Sequence, residues 1–460
     1  MRSVVTPGGI GRSVALAIIV SALVVCLVAQ PQSTHRLIFV ETEQFHLILP
    51  AGRGRVVGTQ SLPKEIPGCE YAAYARRTLV PTMGGSIAAG DFDGDGRLDL
   101  YVVSPGRSNT LFRNNGDGTF RDVTARAKVS GPRDSLTATF SDYDRSGHLS
   151  LFVTGATGIV LYHNNGSGTF SDVTLAAGLP TKTGEVYTRA VLADIDNDGL
   201  PDLLVTTYTD LDSPPAKPTP AFPNDFPGAV SRLYRNNGNG TFTEVTSIAG
   251  LAANPGRARN GVFADFNSDG RPDLLILRDD KPPALYLNRG GCKFEDATWD
   301  AGEDLSRHAF FDAAVADLNR DGKPDLALWS TMSFQVLLNS GNAVFEQAES
   351  IPLLPPLASA FGFHGMIADL DGNGLADLVT LDNDGRWHFF ANQAGRFQEG
   401  SFVLSFRSES RDDPSRVKRA LPRFSSVTPV HLESGGGISL LALQPNGRIT
   451  ALSRRVSDTN

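Results

Sequence analysis

The sequence contains few cysteines and none of the common catalytic or nucleotide-binding motifs. Its 460 residues include three cysteines, and one of these lies in the apolar segment near the N-terminus. The other two, Cys69 and Cys292, form at most one disulfide and are equally consistent with two buried thiols. The chain also lacks His-Glu-x-x-His, Gly-x-Ser-x-Gly, a P-loop, Cys-x-x-Cys and a dinucleotide fingerprint. The sequence therefore indicates neither a disulfide framework nor one of these enzyme classes.

Long apolar runs and basic clusters are also scarce. The longest apolar run, at 14–29, follows two arginines and precedes a short polar stretch. This layout predicts a secretory signal at 1–30, and hence a secreted, periplasmic or cell-surface protein. The run of 16 residues is short for a membrane span, so we expect contact with a membrane only if this segment stays uncleaved. Basic residues are scattered apart from 411–419, and no nucleic-acid partner is predicted.

Glycine and proline are abundant, and one acidic motif recurs six times. The 47 glycines and 28 prolines, together with 41% apolar residues, indicate a folded chain with many turns. The motif begins with an aspartate at positions 91, 142, 194, 265, 317 and 369, in steps of 51, 52, 71, 52 and 52 residues. The one long step contains a proline-rich insertion at 213–227. A period of about 50 residues indicates a repeat architecture.

Each repeat contains four predicted antiparallel strands. An apolar run of small residues precedes the acidic loop, and a second apolar run follows it. A third strand then ends in an Asn-Gly turn of the kind that closes hairpins, and a short fourth strand comes last. Four strands in about 50 residues is the period of a β-propeller blade.

Sequence outside the six repeats predicts how the ring closes. The segment 427–453 has the strand-loop-strand pattern without aspartates, which predicts a degenerate seventh blade that lacks one strand. The segment 37–49 could supply that strand and so hide the sheet edges. We therefore predict an all-β, seven-bladed propeller of four-stranded antiparallel blades at 84–460, closed by a strand from the N-terminal segment 31–83. Six blades carry acidic loops, and the three tryptophans are expected to fill space between blades.

The acidic loops predict calcium sites. The first loop begins like an EF-hand, but its twelfth position is Val102 and a strand follows, so an EF-hand is excluded. Carboxylate and amide oxygens at positions one, three, five and nine, with the carbonyl of position seven, match the ligands that calcium prefers; magnesium retains more water. Loop two is the doubtful site, because Ser146 and Ser150 replace two aspartates. The alternative is that these aspartates only cap turns.

The predicted metal ligands are listed here by loop. They are Asp91, Asp93, Asp95, Arg97 and Asp99; Asp142 and Asp144; Asp194, Asp196, Asp198, Leu200 and Asp202; Asp265, Asn267, Asp269, Arg271 and Asp273; Asp317, Asn319, Asp321, Lys323 and Asp325; and Asp369, Asp371, Asn373, Leu375 and Asp377.

These motifs resemble a known repeat family. The loop DFDGDGRLDLYVV followed by LFRNNGDGTFRDVT is similar to FG-GAP (VCBS) repeats, the blades of integrin-α-like seven-bladed propellers. The NNGxGTF…VT turn is most similar to the bacterial and cartilage-acidic-protein-like branch. The resemblance spans 84–452 and implies calcium between the first and second strands of each blade. No module is recognised after the propeller, so an activity of such a module is not expected.

A second set of polar residues lies five positions before each first aspartate. We expect these residues at the start of the innermost strand, on the face opposite the acidic loops and beneath the insertion 213–227. They are hypothesised to bind a ligand; the alternative is that strand starts are polar because they meet solvent. The set comprises Ser86, Thr137, Arg189, Asn260, Asp312 and His364.

The sequence thus favours a secreted, calcium-binding module for binding or adhesion to a protein or a carbohydrate. One alternative is a propeller enzyme that acts on polysaccharide, with Asp312 and His364 as an acid/base pair. The other is a purely structural scaffold. Because propellers support many functions, the fold alone does not decide between them.

Overall fold

The computed structural model describes residues 83–405 except 84, 105, 118, 181–183, 214–224, 353–364, 382–386 and 401, together with strands near both termini. The described part of the chain is all-β apart from very short helical turns, and its strands form seven sheets. Six sheets have four antiparallel strands each, in chain order from the inside outwards. The predicted seven-bladed β-propeller is therefore confirmed.

Two strands precede the repeats, β1 (Leu37–Glu41) and β2 (Leu47–Ile48). Blade one contains β3 (Ser86–Gly90), β4 (Asp99–Val103), β5 (Thr110–Asn114) and β6 (Phe120–Asp122). Blade two contains β7 (Ser135–Ser141), β8 (Ser150–Gly155), β9 (Gly158–Asn164) and β10 (Phe170–Asp172). Blade three contains β11 (Glu185–Ala193), β12 (Asp202–Asp210), β13 (Arg232–Asn236) and β14 (Phe242–Glu244).

Blade four contains β15 (Ala258–Ala264), β16 (Asp273–Arg278), β17 (Ala284–Asn288) and β18 (Phe294–Asp296). Blade five contains β19 (Asp312–Ala316), β20 (Asp325–Trp329), β21 (Ser333–Gly341) and β22 (Val344–Pro352). Blade six contains β23 (Gly365–Ala368), β24 (Asp377–Leu381), β25 (Trp387–Gln393) and β26 (Arg396–Gly400).

The seventh sheet combines strands from both ends of the chain. Its strands are β27 (Phe402–Ser405), β28 (Ser426–Val430), β29 (Ser439–Leu443) and β30 (Arg448–Arg455), together with β1 and β2. The strand β1 pairs antiparallel with β30 on one side and parallel with β27 on the other. The innermost strand, β28, contacts β3 of blade one. The two ends of the chain thus meet in one sheet beside the first repeat.

The second strand of each repeat forms the centre of its blade because it is apolar on both faces. All five residues of β4 and all six of β8 are buried. Each hydrophobic cluster of the described residues joins two neighbouring blades; Tyr101 of blade one, for example, packs in one cluster with Phe140 and Leu151 of blade two. Leu441 of the seventh sheet packs with Leu100 of blade one. The core is therefore a ring of interfaces between blades, which favours consecutive apolar residues over an alternating pattern.

Short helical turns follow several fourth strands, namely α1 (Thr124–Ala127), α2 (Glu303–Ser306) and a 3₁₀ turn at Leu251–Ala253. Trp299 lies in one of these connections with 82% of its surface exposed, so the prediction that it fills space between blades was wrong. Trp329 is buried and packs against Phe334. Trp299 is exposed because it follows the short outer strand, beyond the region that the next blade covers.

Several predictions fall on parts of the chain outside the described residues. They include the signal at 1–30, Cys69, most of the insertion 213–227, and His364. Cys292 itself is buried. Within the described part of the chain, no helix is long and apolar enough to span a membrane.

Candidate metal centres

Each acidic loop lies between the first and second strands of its blade and wraps around its first aspartate. In loop one, Asp91 Oδ1 accepts hydrogen bonds from the N–H groups of Gly94 (2.8 Å) and Asp95 (3.0 Å). Asp91 Oδ2 accepts one from Gly96 (2.7 Å). Gly94 and Gly96 have positive φ values of 75° and 83°, which turn their N–H groups towards this carboxylate. The first aspartates of the later loops accept the same bond from the sixth-position glycine.

The ninth-position aspartate is the buried anchor of the loop. Asp99 is fully buried, and its two oxygens accept hydrogen bonds from Phe92 N–H (3.2 Å) and from Asn114 N–H of the third strand (2.8 Å). One carboxylate thus holds the loop against the blade. The equivalent buried residues are Asp202, Asp273, Asp325 and Asp377.

Burial raises the pKa of these anchoring carboxyl groups. The pKa of Asp99, Asp202 and Asp377 rises to about 7 and that of Asp325 to about 6, chiefly because desolvation penalises the charged form. Backbone hydrogen bonds oppose this effect, and the neighbouring loop carboxylates add to it. The pKa of Asp273 is raised for the same main reason. Ionising several closely spaced carboxyl groups together is costly, and a cation bound between them would offset that cost.

Three loops bring three carboxylates together around one point. In loops one, three and six, oxygens of the first, third and ninth aspartates all lie within 4.8 Å of one another. Calcium–oxygen distances are about 2.3–2.6 Å, so ligands on opposite sides of one calcium ion are about 5 Å apart. In loop one, Asp93 Oδ1 is buried without a hydrogen-bond partner. An orphaned carboxylate oxygen beside two other carboxylates fits a calcium ligand.

The fifth and seventh positions complete a uniform loop geometry. The N–H of the seventh residue donates to the fifth side chain, as from Arg97 to Asp95 (3.0 Å) and from Leu375 to Asn373 (2.7 Å). The same bond is made by Leu200, Arg271 and Lys323. In loop four, Asn267 replaces the third carboxylate, and its Oδ1 accepts a bond from Asp269 N–H (3.0 Å). An amide at this position therefore keeps an oxygen inside the loop.

Loop two differs from the others. Asp142 still accepts a bond from the sixth-position glycine, Gly147 (2.9 Å). At the ninth position, Ser150 Oγ replaces the carboxylate as acceptor for Asn164 N–H (3.0 Å). The backbone frame is therefore kept, but two carboxylates are missing from the donor set.

The sequence analysis missed two arginines of the third strands that lie over the loops. Arg113 contacts the carboxylates of Asp93 and Asp95 in loop one. Arg235 lies 2.6 Å from Asp196 in loop three. Both precede the asparagine of the Asn-Gly turn. Their common position relative to the Asn-Gly turn, compared across the repeats, was the available signal.

An asparagine at or near the end of the third strand is a second missed element, because from blade two to blade six it connects neighbouring blades. Asn164 Nδ2 donates to the carbonyl of Phe92 in the loop of the preceding blade (2.8 Å) and to Leu149 O in its own loop (3.0 Å). The next four asparagines repeat the bond to the preceding loop: Asn236 to Tyr143, Asn288 to Ile195, Asn339 to Phe266 and Asn392 to Leu318. The acidic loops are therefore part of the contact between blades.

Comparison with known proteins agrees with this architecture. Five segments match the FG-GAP-like repeat family, at residues 91–153, 142–205, 225–276, 265–328 and 317–380, and together they cover more than half of the chain. The chain belongs to the FG-GAP-like repeat family. Each match begins at or before an acidic loop and ends in a second strand, so one match spans the junction between two blades.

The FG-GAP chain also resembles individual proteins. Cartilage acidic protein 1 of Mus musculus and of Homo sapiens is 28% identical over 160 residues, 32% of this chain. The matched segment spans about a quarter of these relatives, 24% and 23% of their length. Among solved structures, an Agrocybe aegerita lectin described as recognising non-reducing terminal N-acetylglucosamine is similar with a TM-score of 0.45 and 20% identity, over 69% of this chain and 79% of that one. BBS1N in complex with ARL6DN is similar with a TM-score of 0.48 and 11% identity, over 83% and 96%.

The polar residues of the opposite face lie at equivalent register positions in these FG-GAP blades. Arg189, for example, is paired with Thr206, and Asp312 with Trp329. Asn260 Nδ2 donates to Asp312 Oδ1 across two blades (2.7 Å). Each of these polar residues that the structure describes pairs with a residue of the second strand in its own blade. They are Ser86, Thr137, Arg189, Asn260 and Asp312.

The sequence analysis expected all of these residues to begin their strands, but only some of them do. Ser86 and Asp312 do, but Thr137, Arg189 and Asn260 lie inside longer strands that begin two to four residues earlier. In these three blades a register shift lies just before the polar residue. A register shift of this kind lets the first and second strands of these three blades stay paired for a few residues before the polar residue, where the first strands of blades one and five have not yet begun.

Proposed function

We propose that this FG-GAP propeller binds calcium in its acidic loops and acts as a secreted binding module for a protein or a carbohydrate. The observation that carries the calcium part is the convergence of three carboxylates in loops one, three and six, with the orphaned Asp93 Oδ1 among them. Calcium is favoured because every donor in these loops is oxygen. The signal-like segment at 1–30 supports secretion.

Calcium in these loops is expected to stabilise the ring. Asn236, for instance, bonds both to the carbonyl of Tyr143 in the preceding loop and to Asp202 of its own loop. An ion that fixes one loop therefore also fixes the surface to which the next blade is bound. A ligand that binds only the folded state raises the free energy of unfolding.

The proposed ligand surface is the face opposite the acidic loops, at blades three to five. Arg189 and Asp312 are each half-buried there, and both interact electrostatically with Arg259, whose side chain is largely covered. Arg259 also lies 3.7 Å from Asp279. Charged groups held by a rigid frame of inner strands are suited to the hydroxyl groups of a sugar or the polar groups of a protein.

Paired substitution tests this surface. Calcium-loaded wild-type protein and the Arg189→Ala/Asp312→Ala variant would be applied to an array of immobilised glycans and to a panel of immobilised extracellular proteins. We expect the variant to lose the binding that the wild type shows. Because Asp312→Ala also removes the acceptor of the buried Asn260 amide, thermal unfolding measured in parallel checks that the variant is folded at the assay temperature. Arg121→Ala/Asp300→Ala is the matched control, since it removes the same two charges from exposed positions at the outside of blades one and four. Equal binding by the wild type and the Arg189/Asp312 variant would reject the proposed surface.

A further inference from the structure

The fourth residue of an acidic loop can reach the loop of the next blade. Arg145, in loop two, donates from Nε to the carbonyl of Gly199 (2.8 Å) and from Nη2 to that of Asp198 (3.2 Å) in loop three. Arg320, in loop five, donates in the same way to the carbonyl of Asn373 in loop six (2.6 Å). Both arginines therefore hold the fifth or sixth residue of the following loop.

The two arginines adopt a backbone conformation that favours glycine. Their φ values, 57° for Arg145 and 63° for Arg320, lie in the left-handed region, where a side chain is costly. Glycine takes the fourth position in loops one and six, as Gly94 and Gly372. The blade after loop one carries the incomplete loop two, and the blade after loop six lacks the acidic motif. The two arginines, by contrast, precede loops three and six, in which three carboxylates converge.

The two remaining loops have shorter side chains at the fourth position. In loop three, Asn197 Nδ2 donates to Gly270 O of loop four (3.3 Å). In loop four, Ser268 makes no hydrogen bond to loop five among the described residues. Loops four and five carry an amide, Asn267 and Asn319, in place of the third carboxylate. The longer reach of arginine therefore coincides with loops whose third residue is an aspartate.

Arg145 bonds to carbonyl groups although its own loop and the next both carry carboxylates. Among the described residues it forms no ion pair, whereas Arg235 lies 2.6 Å from Asp196 of loop three. A Cβ on Gly199 would overlap with Arg145 Nη2, so the guanidinium lies directly on the backbone of the loop. Unlike Arg235, Arg145 therefore holds loop three without competing with an ion for a carboxylate.

We propose that Arg145 is a positioning residue that raises the calcium affinity of loop three from the preceding blade, and that Arg320 does the same for loop six. This inference rests on the proposed binding of calcium in these loops. The carbonyl of Leu200, a predicted ligand, directly follows the held carbonyls of Asp198 and Gly199 in the chain. Peptide groups that are fixed before the ion binds reduce the ordering that binding requires. Loss of outer contacts of this kind typically costs about 10–100-fold in metal affinity.

The charge of Arg145 acts in the opposite direction, because a cation near the site repels calcium. Arg145 is exposed, and interactions between exposed charges are weak. We therefore expect the effect of its two hydrogen bonds to exceed that of its charge, so that Arg145→Ala weakens calcium binding.

Calcium titration of matched variants tests the positioning role. Wild type, Arg145→Ala and Asp202→Asn would be dialysed at a series of free calcium concentrations, and the bound calcium counted by elemental analysis. We expect Arg145→Ala to keep the wild-type count at saturation, but one of its ions should require about 10-fold more free calcium. Asp202→Asn should lose that ion. The double variant should then bind like Asp202→Asn alone, which would place the affected ion in loop three.

Further measurements separate the two hydrogen bonds from the charge and from the fold. Arg145→Lys keeps the charge but loses the planar fork that reaches both carbonyls, so it should recover only part of the affinity. Arg126→Ala removes an exposed arginine from the outside of blade one and should bind calcium like the wild type. In excess chelator, Arg145→Ala should unfold at the wild-type urea concentration, because the carbonyls that lose their donor belong to exposed residues.

The possible failures can be told apart. If Asp202→Asn loses one ion but Arg145→Ala binds calcium at least as tightly as the wild type, the positioning role is overturned and the calcium site stands. An unchanged count in Asp202→Asn would reject calcium in loop three and the positioning role with it. An equal loss of urea midpoint for Arg145→Ala with and without calcium would show a purely structural contact and would also overturn the role.

Discussion

The side-chain amide of Asn236 donates a hydrogen bond to the carbonyl of Tyr143, 2.7 Å away, and so connects the third strand of blade three to the acidic loop of blade two. The same amide donates to Pro201 O in its own loop (3.0 Å). Asn236 is buried, so neither carbonyl could turn to water if the amide were removed. The bond recurs between successive blades, which makes the acidic loops a structural element of the ring.

Removal of this amide should destabilise the protein substantially. Asn236→Ala leaves two buried carbonyl groups without their donor, and we expect the free energy of unfolding to fall by about 2–4 kcal/mol. The neighbouring Asn237 is exposed, and its side chain bonds only to Thr241 and Thr243 of the same hairpin, so Asn237→Ala should cost less than about 1 kcal/mol. Urea denaturation of both variants in calcium measures the difference. Similar losses would show that Asn236 acts only within its hairpin.

One buried hydroxyl group should matter in a comparable way. Thr174 Oγ1 accepts a hydrogen bond from Leu161 N–H (2.9 Å) and donates to Asp172 (2.6 Å). Thr174→Val keeps the shape but leaves the Leu161 N–H unpaired, at an expected cost of about 1–3 kcal/mol. Thr243→Val, on the exposed side of β14, is the control and should change the urea midpoint little. An equal midpoint for both variants would contradict this assignment.

Glycine substitutions can separate backbone strain from contact between blades. Gly178 and Gly168 have similar positive φ values, 77° and 72°. A Cβ on Gly178 would lie 2.8 Å from the carbonyl oxygen of Phe242 in blade three, whereas a Cβ on Gly168 would meet nothing within 4 Å. Gly168→Ala should therefore cost about 1–2 kcal/mol from the left-handed backbone alone. Gly178→Ala should cost about 1–3 kcal/mol more, because blade three must also shift. Thermal and urea unfolding of the pair would show whether the difference exists.

Substitution of one buried carboxylate should remove one calcium ion. Asp202→Asn keeps the size of the side chain and one of the two oxygens that accept from the N–H groups of Ile195 and Asn236, but removes the charge from loop three. We expect the calcium content to fall by about one ion per chain at calcium concentrations that saturate the wild type. Asp117→Asn, at an exposed turn in blade one, should leave the content unchanged. Elemental analysis after equilibrium dialysis distinguishes the two, and an unchanged count in Asp202→Asn would exclude Asp202 as a ligand.

Most of the blade could be predicted from the sequence because every repeat carries the same information. The acidic loop, the apolar second strand and the Asn-Gly turn each occur at fixed spacing, and the structure places them between and within the expected strands. Asp99 and its equivalents are buried, and in loops one, three and six the ninth aspartate lies near the first and third carboxylates; their role as metal ligands stays a prediction.

Contacts between blades could not be predicted in the same way. Tyr143, to which Asn236 donates, lies 93 residues earlier in the chain. The pattern within one repeat identifies Asn236 only as a residue of the turn and gives no sign of this contact. The contact of Arg113 with Asp93 and Asp95 likewise depends on the register between the second and third strands of blade one. Trp299 was placed between blades because large aromatic residues are usually buried, but its position after the outer strand leaves it exposed.

Thermal unfolding with and without calcium tests the central claim, that the acidic loops are calcium sites which stabilise the ring. The melting temperature of the mature protein would be measured in millimolar calcium, in excess chelator, and after calcium or magnesium is returned. At a free calcium concentration of about 100 times the dissociation constant, each occupied site adds about 2.7 kcal/mol to the free energy of unfolding. We therefore predict a large drop on chelation that calcium reverses and magnesium does not. An unchanged melting temperature, in a sample that elemental analysis shows to be free of metal, would contradict the claim.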